Sequence, residues 1–117
     1  MIIDRDAWPE KELDDTCRAA HDSGFNIALS NPCFEIWLYL HFRDPCFFND
    51  RHDCQRRLAD VLPGYTPEKK GKYDVDALLP GVTDAIRRAK GLDQKPDDLW
   101  PRDHGSRVYK LVEKFNA

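Results

Sequence analysis

Two short apolar runs flank one amphipathic segment within the first part of the chain, and this arrangement constrains the fold most. Met1, Ile2 and Ile3 lead to Asp4, as the end of a buried strand would. Pro9 suits the first turn of a helix, and the acidic residues beside it favour a helix N-terminus. Leu13, Cys17 and Ala20 recur at helical spacing, with Asp14, Asp15, Arg18 and His21 on the other sides, and Gly24 closes the segment. FNIAL, residues 25–29, then reads as a second strand. A strand, helix and strand spaced over roughly thirty residues form a βαβ unit with a parallel pair. The strands are expected at about residues 1–5 and 25–30.

The next stretch, SNPCFEIWLYLHF, has Ser30 and Asn31 as helix caps and Pro32 at the first helical position. Phe34, Ile36, Trp37, Leu38, Tyr39, Leu40 and Phe42 make that helix apolar nearly all round, so it belongs deep in a core. Glu35 in its first turn is conspicuous there. Asp50 can cap a helix with Cys54, Leu58, Val61 and Leu62 on one face, and PGYTPEKKGKYD is an exposed loop. Val82, Ala85, Ile86 and Ala89 mark another helix closed by Gly91; residues 93–106, with Pro96, Pro101 and Gly105, look irregular. Val108, Leu111, Val112 and Phe115 give a final amphipathic helix. The expected class is α/β: a parallel βαβ followed by a mostly helical part, in one domain over residues 1–117.

A length of 117 residues, 41% hydrophobic and 33% charged, fits one globular domain with a core of its own. No stretch approaches the roughly 20 apolar residues of a membrane span, and the acidic N-terminus is not that of a signal peptide, so the reading is cytoplasmic without membrane contact. Cys17, Cys33, Cys46 and Cys54 form no CxxC pair and read as reduced. A net charge of −3 argues against a protein that coats nucleic acid, but acids crowd the first fifteen residues while bases collect later.

Four groups could carry chemistry. Asp4 and Asp6 lie at the carboxyl end of the first strand, where ligands of parallel sheets gather, and residues i and i+2 of an extended segment point the same way. Two carboxylates there can hold a hard cation such as Mg²⁺; they can equally be polar residues capping the next helix. Glu35 could add a carboxylate at the same edge, or simply offset the dipole of its helix. His41, Cys46, His52 and Cys54 invite a zinc reading, but their spacing is not that of a zinc finger, and His41 suits a hydrogen-bonded core position. Lys69, Lys70, Lys72 and Tyr73 could contact phosphates or form a solvated loop. No glycine-rich phosphate loop, G-x-S-x-G or HExxH occurs.

SNPCFEIWLYLHF at 30–42 resembles the signature of RloB-like proteins. IIDRDAW at 2–8, AIRRAK at 85–90 and RVYKLVEKF at 107–115 resemble other segments of that family, so the likeness spans nearly the whole chain. The resemblance implies a Toprim-like core and a metal-dependent nuclease of bacterial phage defence acting by abortive infection. Toprim domains pair a glutamate on an early strand with a DxD on a later one around Mg²⁺. The resemblance therefore implies Asp4 and Asp6 as ligands of Mg²⁺ or Mn²⁺, Glu35 as an additional acid and Lys72 as a phosphate-stabilising base. It also implies nucleic acid as substrate and an ATPase as partner. The family's early glutamate precedes the IIDRD strand, at which this sequence starts. The expectation is thus the C-terminal portion of a Toprim domain, with 1–30 as the βαβ remnant and 31–117 as the helical part. The rival expectation is a non-enzymatic domain that binds a defence ATPase or a second copy of itself.

Overall fold

A computed structural model describes residues 2–69 and 71–116, with residues 115 and 116 described by their backbone only. Met1, Lys70 and the side chain of Phe115 lie outside that description. The first unit is β1 (Ile2–Asp4), a short 3-10 turn (Arg5–Ala7), α1 (Glu10–Asp22) and β2 (Ala28–Asn31). β1 and β2 pair in parallel, with Ile3 beside Leu29 and Asp4 beside Ser30, as the spacing predicts. α1 buries Leu13 and Cys17 against Ile3, Leu29 and Trp100. Gly24, at φ +78°, closes the helix in the left-handed region where a side chain would be strained.

The second strand differs from the FNIAL reading. Phe25 is 73% exposed, and its N–H donates to the Ala20 carbonyl at 2.8 Å, so it still belongs to the end of α1. All four residues of β2 are buried although two are polar. Ser30 Oγ bonds Ser106 Oγ at 2.8 Å, and Asn31 Nδ2 donates to the Pro101 carbonyl at 3.0 Å. These partners, 70 and 76 positions away, satisfy the polar groups and let them lie in a core strand. Ser30 and Asn31 are therefore strand residues and not helix caps. A cis Asn31–Pro32 bond follows, and α2 spans only Glu35–Tyr39, with Phe34 as its N-cap.

The helical part is α3 (Arg51–Ala59), α4 (Val82–Leu92) and α5 (Val108–Asn116). Asp50 caps α3, its Oδ1 accepting from the Asp53 N–H at 2.9 Å, which agrees with the sequence reading. α4 runs through Gly91 and ends at Asp93. Within the stretch expected to be irregular lies β3 (Gly105–Ser106), antiparallel to β2, so the sheet order is β1-β2-β3. Among the described residues, no helix is long and apolar enough to cross a membrane.

Burial around α2 dominates the energetics. Ile36, Leu40, Leu58 and Leu62 are each 2% exposed or less, and full burial of such a side chain contributes roughly 1.5–3 kcal/mol. Exposed ion pairs such as Arg87–Asp84 contribute far less, typically below about 1 kcal/mol. α2 is fixed at its far end by Arg88, which donates to the Leu40 carbonyl at 2.7 Å and pairs with Asp44 at 3.0 Å. Gly81 lies so close beneath this turn that a Cβ would overlap the His41 carbonyl.

His41 itself is 7% exposed. Its Nδ1 lies 2.9 Å from the Trp37 carbonyl, and its ring meets the Trp37 ring edge-on at 4.9 Å. Burial holds its pKa below the ordinary imidazole value, with the nearby Arg88 charge acting in the same direction. The unfolded chain therefore takes up this proton first. The stability due to neutral His41 is present above about pH 6.5 and is lost as pH falls through the lower folded value. The thermal midpoint is expected to drop between pH 7.5 and 5.5, and His41→Gln should reduce the steepness of that drop. An unchanged slope would show that other groups govern it.

Candidate metal centre at the carboxyl edge of the parallel pair

β1 delivers Asp4 to the carboxyl edge of the sheet, next to Ser30 on β2. The chain then tightens into the 3-10 turn, so Asp6 does not continue the extended segment, and the expectation that both carboxylates point the same way along one strand is corrected. Two contacts join the loops after the two strands. The Phe34 N–H donates to Asp4 Oδ1 at 2.8 Å, and the Asp6 N–H donates to the Pro32 carbonyl at 3.1 Å. Asp4 is half-buried and Asp6 is exposed. Their donors are hard oxygens, of the kind Mg²⁺ accepts from one or two carboxylates while keeping several waters. The residue types at this edge fit that ion.

Glu35 begins α2 one residue after Phe34, and it is 7% exposed. The Tyr65 hydroxyl donates to its Oε2 at 3.3 Å. Cys33 and Cys54 are packed beside it. The Cys33 thiol is raised well above its ordinary pKa by its hydrogen bond to Cys54, by burial and by the Glu35 carboxylate. The Tyr65 hydroxyl is likewise raised, by burial first and by Glu35 second. Both groups therefore stay neutral and can donate to the carboxylate. Glu35 is thus tied into the core beneath the edge. Among the described residues, no three His, Cys, Asp or Glu side chains gather as a group that could hold a metal ion.

Lys72 is exposed in the loop that follows α3. Its N–H donates to the Lys69 carbonyl at 3.1 Å, and the neighbouring Tyr73 ring lies 6.3 Å from the Tyr65 ring. The loop is therefore linked to Glu35 through two tyrosines. Lys69 is exposed in the same turn, whereas Lys70 lies outside the described residues.

The zinc set does not assemble among the described residues. His41 serves the core, and His52 is exposed. Cys46 contacts the Tyr39 hydroxyl at 3.6 Å and Arg57 at 3.5 Å, and Cys54 is buried against Cys33. All four cysteines are free thiols.

A second polar cluster supports the edge from below. Arg107 and Asp93 form an ion pair at 3.4 Å with side chains only 6% and 4% exposed. Arg107 also donates to the carbonyls of Lys95, at 2.8 Å, and Asp98. The Tyr109 hydroxyl donates to Asp93 at 2.6 Å, and the Arg107 N–H donates to the Leu29 carbonyl at 2.9 Å. In the sequence Arg107 is one more cation at the start of an amphipathic helix, and no local pattern marks it as buried.

The family model described as "RloB-like protein" matches residues 1–115. No curated protein and no solved structure matches the chain.

Proposed function

The chain belongs to the RloB-like protein family, and from that membership we propose that it is part of a metal-dependent Toprim-type nuclease of phage defence, acting on nucleic-acid phosphodiesters. The observation that carries this reading is Asp4, half-buried at the carboxyl end of a parallel pair and held at 2.8 Å by the Phe34 N–H. Asp4 and Asp6 would hold Mg²⁺ or Mn²⁺. When bound, the ion supplies Lewis-acid stabilisation of the phosphodiester and activation of a water. The Phe34 N–H orients the Asp4 carboxylate. Glu35, through Tyr65, fixes the start of α2 and so keeps that N–H in place. Lys72 offsets phosphate charge from the exposed loop.

The test is incubation of the full-length protein, with whatever precedes Ile2 in it, with single- and double-stranded DNA and RNA, alone and with the ATPase proposed as its partner. Cutting is expected with Mg²⁺ or Mn²⁺ and none in EDTA. Cutting that persists in EDTA, or no cutting of any substrate with either ion, would sink the reading. Light scattering of the same samples reads the proposed ATPase complex and self-association.

A further inference from the structure

A cleft of about 500 Å³ opens beside the carboxyl end of β2, with Asn31, Cys46, Phe47 and His104 in its walls. Its floor is aromatic. Phe47 is 75% exposed and stacks on His104, with ring centroids 5.8 Å apart and planes 26° apart. His104 is backed in turn by Phe48, at 6.2 Å, a ring only 1% exposed. A lone exposed apolar side chain is ordinary. Here the exposed ring caps a series of rings anchored in the core, so its orientation is fixed and it offers a flat open surface.

Charge around this surface is polarised. At one end Arg57 reaches Cys46 at 3.5 Å and sits 5.7 Å from the Phe48 ring. Arg57 and Arg56 share the single carboxylate of Asp53, at 3.2 and 3.1 Å. The Asp53 side chain is 8% exposed, whereas the Arg57 and Arg56 side chains are 45% and 70% exposed. Two cations in front of one buried anion leave an excess positive charge facing water. At the other end Arg102 is paired with both Glu10 and Asp14, and Asp103 lines the wall, so that end disfavours phosphate.

We infer that this cleft binds one unstacked nucleotide of a single-stranded nucleic acid, its base on Phe47 and its phosphate against Arg57 and Arg56. An aromatic platform beside a cationic rim is the usual chemistry for single strands, because every base has a face to stack and only an unpaired base can offer it. The class of ligand rests on the nuclease reading above, and the position beside Asn31 puts the cleft at the same sheet edge as Asp4.

The test is fluorescence anisotropy of labelled ten-residue oligo(dT) and oligo(U) in EDTA. The protein is expected to bind at least one of them. Phe47→Ala should weaken binding by roughly 10-fold or more, while Phe47→Trp should retain it. Arg57→Gln should weaken binding and flatten its salt dependence. Phe47 is exposed, so its two substitutions leave the core intact. No binding of either oligomer, or Phe47→Ala within twofold of the unsubstituted protein, overturns the inference. Binding is read without metal and cutting with it, so the two readings fail separately. Cutting without Phe47-dependent binding removes the nucleotide cleft alone. Phe47-dependent binding without cutting removes the nuclease and supports the cleft.

Discussion

Asp4→Asn is expected to lower Mg²⁺-dependent cutting by roughly 10²–10³-fold, the usual cost of removing one preorganised electrostatic group from an active site, while leaving the fold intact. The asparagine carbonyl can still accept the Phe34 N–H that now bonds Asp4 Oδ1 at 2.8 Å, so it removes the charge and keeps this bond. Asp4→Ala removes the acceptor as well and should cost about 1 kcal/mol more in stability. The two variants together separate a metal ligand from a structural bond. If Asp4 only stitches the β1 and β2 loops, the asparagine variant stays active and the alanine variant is merely less stable. If it holds the ion, both lose cutting, and both weaken Mn²⁺ binding measured by calorimetry. Full activity in Asp4→Asn would end the assignment.

Arg107→Ala should be the most destabilising single change, by about 3–5 kcal/mol, because it leaves a buried carboxylate without its cation. Asp93 is 4% exposed on its side chain and would retain only the Tyr109 hydroxyl among the contacts described above. The carbonyls of Lys95 and Asp98 would lose their donor too. Replacing both charges, Arg107→Met with Asp93→Asn, should recover part of the loss, since no orphaned charge is then buried and the amide can still accept from Tyr109. Urea denaturation of the single and double variants reads both effects. A double variant no more stable than Arg107→Ala would mean that the carbonyl contacts, and not the charge pair, hold this region.

The βαβ unit was legible because its apolar residues follow simple periods, and the Asp50 cap because its chemistry is local. What escaped the sequence depends on distant partners. Ser30 and Asn31 look like caps until Ser106 and Pro101 are brought beside them. Gly105–Ser106 is too short to carry any alternation, so β3 exists only through its pairing with β2. Gly91 resembles a stop signal, but α4 passes through it and ends at Asp93, which is held by Arg107 and Tyr109. At the candidate site, the acids stand out in the sequence by type and position. That Glu35 faces Tyr65 while Asp4 faces the Phe34 N–H follows from side-chain direction in three dimensions.

The sheet order has a consequence for how the protein is made. The neighbour on the second side of β2 is translated 76 residues later, counted from Ser30 to Ser106. At a synthesis rate of about 5–20 residues per second, β2 waits on the order of 4–15 s for that neighbour. During the wait its edge is open and its serine and asparagine lack their partners. The carboxyl edge that carries Asp4 is therefore completed only once β3 has been made, and a nascent chain holds its acids before it holds the architecture that orients them.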